Sequence, residues 1–462
     1  MTIDLESRTG FIKYGLLTSD PSRPATESRA RLRNVIKRLL VVFMLLLSPA
    51  FAFEELWDTP SGRERVFNAL IDIFEDNYWD AQYRDWDAWG EPYRELAVNA
   101  GSRLEFDSAL RRMVSELGDD HSRWVGLASL GGPASSNPAA EPALGVRQTY
   151  LQGEGLVVER VFPNTPAESA GLKRGDVIVR VGTTDLRDVQ GGYEVSAVLT
   201  DAVKSGDVRL SVRRKAHILN ILVQPERVDF RAAEEAPQAE MLDASTGYLY
   251  LPSFQGEGVA AQVHGLISDL QNEGMTALVL DLRGNPGGRL GELGLVLGAF
   301  FEADGTWVEA VKGEDVTWRA AYFQETARNI LETPGGEAFA ENSLLEPARF
   351  TGPLAVLVTE RNSSAGEVAA LVLQDLGRAT VVGEPTLGNV EAVQAFDLPD
   401  GSLVYVAVAN LRGVGGADYS LGVTPDIEVT SSLQELARGF DAPVAEALRA
   451  LKELPFTPGR FF

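Results

Sequence analysis

Residues 364–367, Ser-Ala-Gly-Glu, combine a hydroxyl group with the start of a predicted helix. An apolar run follows them, and Ser-x-x-Glu before such a run is the pattern of a helix capping box. A serine that opens a helix also lies in the positive field of the helix N-terminus, which favours a developing negative charge. The pattern therefore predicts a helix from Ser364, with its hydroxyl where nucleophilic chemistry would be assisted.

A second stretch, residues 284–288, Gly-Asn-Pro-Gly-Gly, follows a predicted strand. Its glycines allow backbone N–H groups to point into a site, and an acyl-transfer site needs such donors for its oxyanion. An ordinary turn at the end of a strand would use the same residues. The motif alone leaves both interpretations open.

The elements that must position these stretches fall into three regions, of which the first is joined to the second by a linker. Residues 54–127 are predicted to be helical, and Ser61 with Glu64 forms a capping box at one helix start, while a later helix ends near Gly118. Residues 128–143 are a linker rich in Gly, Pro, Ser and Ala. From residue 246 buried strands alternate with amphipathic helices, which predicts an α/β mixed sheet and a last helix over roughly 432–453.

The middle region, residues 144–228, resembles a PDZ domain. The similarity lies in the segment 155–186, with a short helix near Pro166 and the turn Gly171-Leu-Lys-Arg-Gly-Asp before a strand. Leu144, Gly145 and Val146 stand where PDZ domains keep their carboxylate-binding loop, although Ala143 replaces the usual first glycine. The resemblance implies capture of a chain end by β-augmentation. A structural β-module with a blocked groove is the alternative.

The chain as a whole resembles the C-terminal processing, or tail-specific, serine peptidases. The similarity lies in residues 357–386, in "VLDLRGNPGG" (279–288) and in "GVTPDIEV" (422–429), and it covers about 53–430. It implies an α/β multidomain fold with an N-terminal helical domain, a PDZ β-domain and an α/β protease core of the ClpP/crotonase-like type. It also implies a nucleophile, Ser364 rather than Ser363, and oxyanion donors on the backbone of Gly287 or Gly288 and of Ala365.

The lysine that serves as general base in most of this family is missing here. Alignment forward from Thr386 places Asn389 at its position, and alignment backward from Gln394 places Val390 there. An amide side chain cannot act as a general base. After residue 228 the chain has two lysines, Lys312 and Lys452, and neither falls near the motif. A Ser–Lys dyad is therefore not expected.

Three histidines could replace the lysine. His217 belongs to a PDZ strand, and His264 lies on a helix as a packing or surface residue. His121, in "GDDHSRWV", matches a D-x-H-[ST] motif that the family carries before its PDZ domain. Relatives of the tricorn-core type use a Ser-His-Glu arrangement whose histidine comes from this early segment, which implies that His121 is the base. The alternative is a loop histidine that holds the helical region together beside Asp119 and Asp120.

A carboxylate should orient the imidazole and stabilise its cation. Glu391 lies two residues beyond the lost lysine and is the preferred candidate, whereas Asp418 and Asp426 are alternatives later in the chain. The predicted triad is Ser364, His121 and Glu391. With no cysteine and three scattered histidines, the sequence predicts neither a metal site nor a cofactor.

The N-terminus predicts export. A basic run between Arg29 and Arg38 precedes the apolar stretch 39–47, and Ala50-Phe51-Ala52 has the form of a signal-peptidase site. The apolar stretch is shorter than the roughly 20 residues of a membrane span. A cleaved signal peptide is therefore favoured over a membrane anchor, which would associate the protein with the membrane through residues 39–47. The net charge of −24 argues against nucleic acid as a partner.

These features predict an exported serine endopeptidase in the periplasm, the cell envelope or the extracellular space. Its partners would be protein or peptide substrates, recognised through their C-termini. The alternative is a non-catalytic, PDZ-containing peptide-binding protein of the same fold. The predicted divisions are a signal or anchor, a helical domain with linker, the PDZ domain and the peptidase core, over residues 1–52, 53–143, 144–228 and 229–462.

Overall fold

The computed structural model describes residues 55–80, 85–119, 121–127, 142–229 and 236–453. The predicted signal segment and nearly all of the predicted linker lie outside these ranges. Within them, no helix has both the length and the apolar character needed to cross a membrane.

Helices form the N-terminal region, as predicted. They are α1 Glu55–Asp58, α2 Pro60–Asn77, α3 Trp86–Val98 and α4 Arg103–Ser115. The capping box predicted at Ser61 is wrong. Thr59 is the N-cap of α2 and accepts the N–H of Gly62 at 3.1 Å, because Pro60 fixes the first helical position.

These helices share their apolar core with a seven-stranded antiparallel sheet. The strands are β1 Arg123–Val125, β13 Gly305–Lys312, β14 Asp315–Phe323, β15 Arg328–Glu332, β16 Ala338–Ser343, β19 Ala392–Asp397 and β20 Leu403–Arg412. Phe67 and Leu110 of the helices pack in one cluster with Val404 and Val406 of β20. Strand β1, which follows His121 closely, pairs with β20. The N-terminal region is thereby attached to the core at the strand next to the predicted base.

The PDZ region contains a six-stranded sheet, a separate two-stranded sheet and two helices. Its elements are β2 Pro142–Ala143, β3 Val146–Leu151, β4 Gly155–Val161, α5 Pro166–Ser169, β5 Val177–Val181, β6 Thr184–Asp185, α6 Gly192–Ser205, β7 Val208–Arg214, β8 His217–Val223 and β9 Glu226–Arg227. The strand order is β3-β4-β5-β7-β8. Strand β3 is therefore an edge strand, which is the position that β-augmentation requires.

The centre of the peptidase region is a mixed six-stranded sheet of order β10-β11-β12-β17-β18-β21. Its elements are β10 Gln238–Met241, β11 Thr246–Tyr250, α7 Val259–Asn272, β12 Ala277–Asp281, α8 Leu290–Gly298, β17 Leu354–Val358, α9 Ala365–Asp375, β18 Thr380–Gly383 and β21 Ile427–Glu428. Strands β11 to β21 run parallel. Both candidate stretches lie beyond the carboxyl ends of neighbouring strands, β12 and β17, where open α/β sheets place their sites.

The predicted last helix is broken in two. Helix α10 covers Leu433–Ala437 and α11 covers Ala442–Glu453, and Gly439 between them has φ +79°. Helix α11 packs on the face of the central sheet through Ala447. Helix α10 instead packs through Leu436 against Val157 and Val177 of the PDZ strands. The break lets one terminal segment contact both regions.

Candidate active site

Ser364 stands between β17 and α9 in a backbone conformation that non-glycine residues rarely adopt. Its φ is +53° and its ψ is −130°. The predicted capping box does not form, because the Ser364 side chain makes no cap hydrogen bond. The hydroxyl is left for other chemistry. Backbone strain of this kind concentrates at functional sites, where surrounding contacts must maintain it.

Glu367, the other half of the motif, supplies such contacts. Its carboxylate is fully buried and accepts the N–H groups of Gly388 and Asn389, both at 2.8 Å. The carbonyl oxygen of Asn389 in turn accepts the Ser364 N–H at 2.6 Å. The residue at the lost lysine's position is therefore held against the backbone of the candidate nucleophile. Its loop continues directly to Glu391.

The predicted oxyanion turn lies against the same serine. A Cβ added to Gly287 would be 2.6 Å from Cβ of Ser364 and 2.8 Å from the nitrogen of Ala365. The N–H of Gly287 donates to Oδ1 of Asn285 at 2.8 Å. Among the described residues no group accepts the N–H of Gly288 or of Ala365. Of the two glycine amides named from sequence, that of Gly288 is the one without an acceptor.

Two buried asparagines fix the turn to the serine loop, and the sequence analysis missed both. The side-chain amide of Asn285 donates to the carbonyl oxygen of Leu251 at 2.9 Å, and the backbone carbonyl oxygen of Asn285 accepts the N–H of Ser363 at 3.1 Å. Asn362 donates to the carbonyl oxygen of Leu282 at 2.7 Å. The available signal was their place in the loops after β12 and β17, since a buried amide without partners would be costly.

The structure brings His121 and Glu391 together. Nδ1 of His121 lies 3.0 Å from Oε2 of Glu391, and both side chains are largely shielded from solvent. This is an ion-pair distance, and neither atom has a hydrogen-bond partner among the described residues. A carboxylate on Nδ1 leaves Nε2 as the nitrogen available to take a proton.

The backbone of His121 is fixed by Asp119, another residue without an assigned role in the sequence analysis. Oδ1 of Asp119 accepts the N–H groups of His121 and Ser122 at 2.9 and 2.5 Å. Its Oδ2 accepts the hydroxyl of Tyr78 at 3.1 Å, from the end of α2. Ser122 Oγ accepts the N–H of Ala407 on β20. The helical region and the core sheet both hold this segment in place.

The other candidate bases are engaged elsewhere. His264 is fully buried, its Nδ1 accepts the N–H of Ala348 and its Nε2 lies 2.9 Å from the carbonyl oxygen of Leu295. Burial lowers the pKa of His264, which suits a neutral packing residue. Lys312 donates to the carbonyl oxygen of Asp76 at the end of α2, and Lys452 is exposed on α11. The exposed His217 lies on β8.

The alternative acids have structural partners. Asp426 accepts the N–H of Val381 at 2.7 Å and the amide of Gln374 at 3.1 Å. Asp418 accepts the N–H and the hydroxyl of Ser420 at the start of a short 3₁₀ turn. Of the three carboxylates considered from sequence, Glu391 is the one found in contact with His121.

A charge network links the start of the glycine turn to the PDZ region. Arg283 pairs with Asp281 and donates to both oxygens of Asp441 at 2.9 and 3.1 Å. Arg174, on the PDZ turn, pairs with the same Asp441. Burial lowers the pKa of Arg283, but the two aspartates outweigh it and raise that pKa well above its ordinary value. Arg283 therefore stays charged, and the two arginines hold the two regions together through one carboxylate.

The predicted carboxylate loop of the PDZ region has the shape of a backbone cradle. Gly145 has φ +85°, and a Cβ there would collide with the side chain of Thr165. The carbonyl oxygens of Leu144 and Gly145 accept the N–H groups of Ala167 and Phe162. Within the described ranges the N–H groups of Leu144 and Gly145 have no acceptor. The side chains of Leu144 and Val146 are buried.

The described part of the chain contains no cluster of three or more histidine, cysteine or acidic side chains able to hold a metal ion. The chemistry available at the site is that of a hydroxyl, an imidazole, a carboxylate and backbone amides. Such a set is suited to acyl transfer through a serine.

Comparison with known proteins agrees with this chemistry. Residues 245–429 match the model of peptidase family S41, and residues 142–224 match that of the PDZ domain. The chain is 29% identical over 361 residues to carboxyl-terminal-processing peptidase 2, chloroplastic, from Arabidopsis thaliana. This alignment covers 75% of this chain and 65% of that protein. The chain is 28% identical over 410 residues to the carboxyl-terminal-processing protease of a Picosynechococcus species, which covers 86% and 90%.

A solved structure from Bacteroides fragilis, described as an S41 protease, has the same fold. Its TM-score is 0.54 at 17% identity, over 83% of this chain and 96% of that one. The two matched regions are thus a serine peptidase domain and a PDZ domain. The chain is similar to peptidase family S41 over residues 245–429 and to carboxyl-terminal-processing proteases over most of its length.

The close approach of Gly287 to the serine predicts a position-specific effect. In Gly287→Ala the new methyl group would displace Ser364 and the Ala365 amide, and a misplacement of about 1 Å costs on the order of 10²-fold in rate. Gly284→Ala is the matched control, since it also has a positive φ but nothing within 4 Å. We expect Gly287→Ala to lose fluorophosphonate labelling and Gly284→Ala to lose only about 1 kcal/mol of stability. Equal labelling of both variants would contradict the proximity.

Proposed function

We propose that the protein is an exported serine endopeptidase that cleaves polypeptides delivered by their C-termini, with Ser364, His121 and Glu391 as its catalytic triad. The observation that carries the proposal is the 3.0 Å contact between His121 and Glu391, in the loop that also holds Ser364. No observation favours a non-catalytic peptide-binding protein.

In the proposed mechanism, His121 accepts the Ser364 hydroxyl proton through Nε2 as the oxygen attacks the scissile carbonyl. Glu391 at Nδ1 stabilises the resulting imidazolium and fixes the tautomer. The tetrahedral oxyanion accepts hydrogen bonds from the backbone amides of Ala365 and Gly288, since the Gly287 amide already donates to Asn285. His121 then returns the proton to the leaving amine, and a water molecule repeats the sequence to release the acyl group.

This triad accounts for the absent lysine. The backbone of Asn389 retains the structural part of that position, because its carbonyl binds the Ser364 N–H. The role of general base passes to His121 of the N-terminal region. Glu391, two residues beyond Asn389, orients the imidazole. The arrangement corresponds to the Ser-His-Glu pattern inferred from sequence.

The first test is replacement of the nucleophile. Ser364→Ala should abolish hydrolysis of an unfolded test protein and labelling by a fluorophosphonate while the circular dichroism spectrum stays unchanged. Ser363→Ala is the control, because the described contacts of Ser363 are made by its backbone. Undiminished hydrolysis by Ser364→Ala would remove this residue from the mechanism.

The second test concerns the base. His121→Ala removes the imidazole that accepts the Ser364 proton, and it should lose on the order of 10²–10⁴ in rate. Glu391→Gln keeps the shape but removes the charge, and it should slow turnover while slow labelling remains detectable.

Lys312→Ala is the control for the base, since Lys312 contacts α2 and not the candidate site. It should retain the wild-type rate. Full activity of His121→Ala together with inactivity of Lys312→Ala would reject the triad. Asn389→Lys should not rescue His121→Ala, because the chain has one residue more than the family between this position and Gln394.

The PDZ region supports recognition of chain ends. It offers an edge strand, β3, and two amides in the Leu144–Gly145 loop without acceptors among the described residues. We expect a peptide with a free C-terminus to be cleaved with a lower KM than the same peptide amidated. Equal KM values would contradict carboxylate recognition. The control is a shorter peptide, free or amidated, that cannot reach from the PDZ region to the candidate active site, and its two forms should have the same KM.

Export is part of the proposal and is supported by the sequence of the N-terminus. The basic run, the apolar residues 39–47 and the Ala50-Phe51-Ala52 site form the pattern of a signal peptide. A periplasmic, cell-envelope or extracellular protein would carry it, and a retained segment would instead anchor the protein to the membrane.

A further inference from the structure

Two leucines on the loops beside the nucleophile are largely exposed. Leu387 is 71% exposed and Leu421 is 77% exposed. Single exposed leucines are common on protein surfaces and need no explanation. These two differ because their loops are in contact with each other and with the residues around Ser364.

The contact between the loops is made by backbone on both sides of each leucine. The N–H of Thr386 donates to the carbonyl oxygen of Val423 at 3.1 Å, and the N–H of Val423 donates to Oγ1 of Thr386 at 2.8 Å. Beyond the leucines, a Cβ added to Gly388 would collide with the carbonyl oxygen of Ser420. Leu387 and Leu421 are therefore the central residues of two segments that touch along their length.

The same segment reaches the nucleophile within two residues. Gly388 and Asn389, which directly follow Leu387, are held by the buried carboxylate of Glu367. Asn389 binds the N–H of Ser364 through its carbonyl oxygen. The leucine pair thus borders the nucleophile on the side of the loop that leads to Glu391.

Each leucine is followed by a glycine whose backbone lies in close contact with the opposite loop. Gly388 and Gly422 have φ values of +84° and +73°, and a Cβ on Gly422 would lie 2.5 Å from the carbonyl oxygen of Thr386. Only glycine fits at either position. A rigid apolar surface binds a partner without the entropic cost of ordering its own backbone.

We propose that Leu387 and Leu421 form an apolar subsite that receives a hydrophobic side chain of the substrate next to the scissile bond. The proposal rests on the peptidase function proposed above. A substrate side chain would cover two leucines that are otherwise left in water. This names a substrate class, peptide bonds flanked by an aliphatic or aromatic residue, and it places the specificity in the core rather than in the PDZ region.

The test compares internally quenched peptides that differ at one position beside the cleaved bond, leucine against serine. Active enzyme is first titrated with a fluorophosphonate, and kcat/KM is expressed per labelled site. Wild type should prefer leucine by at least about 10-fold, the scale of hydrophobic discrimination in a pocket. Leu387→Ser and Leu421→Ser should each reduce that preference several-fold. They should do so by lowering kcat/KM for the leucine peptide while kcat/KM for the serine peptide stays unchanged.

Leu104→Ser is the matched control, because Leu104 is 73% exposed at the start of α4 and belongs to neither loop. It should keep the wild-type preference. Wild-type enzyme that is labelled and cleaves both peptides equally, or loop variants that keep the preference, would overturn the subsite. Equal loss of rate on both peptides with a changed sedimentation coefficient would overturn it in favour of contact with a second copy. Absence of labelling in the wild type would instead reject the peptidase function itself.

Discussion

The site depends on one buried interaction, the carboxylate of Glu367 bound to the N–H groups of Gly388 and Asn389. A carboxylate shielded from water is stable only when such donors satisfy it, and loss of one leaves an unpaired group that costs about 1–3 kcal/mol. This bond fixes the loop after β18 to the first turn of α9. Asn389 can then bind the Ser364 N–H and maintain its positive φ. Glu391 follows in the same loop and meets His121.

The glycine turn after β12 meets this arrangement from the other side, because Asn285 joins it to Ser363 and Gly287 contacts Ser364. Arg283, before the turn, shares Asp441 with Arg174 of the PDZ region. His121 arrives from the N-terminal region on a segment held by Asp119 and by β20. The candidate site is therefore tied to the peptidase core, the PDZ region and the N-terminal region by hydrogen bonds and ion pairs.

Much of this organisation could be predicted from the sequence, since buried parallel strands, amphipathic helices and glycine-rich turns carry local signals. Spacing relative to known motifs was enough to select Ser364, His121 and Glu391, of which the last two proved to be in contact. Helix starts were less predictable. Thr59, not Ser61, is the N-cap of α2, because Pro60 determines the first turn. At α9, Glu367 binds a distant loop instead of forming a capping box with Ser364. Such long-range partners, like Asp119 with Tyr78 or Arg283 with Asp441, leave no local pattern.

The central claim is that a histidine and a glutamate have replaced the lysine of this family at Ser364. The most direct measurement is a crystal structure of the protein after reaction with a fluorophosphonate. We predict a phosphonyl group on Oγ of Ser364, with its oxygen about 3 Å from the Ala365 nitrogen and Nε2 of His121 within hydrogen-bond reach of the adduct. A label on another residue, or an adduct with the His121 ring turned away and a lysine in its place, would contradict the account.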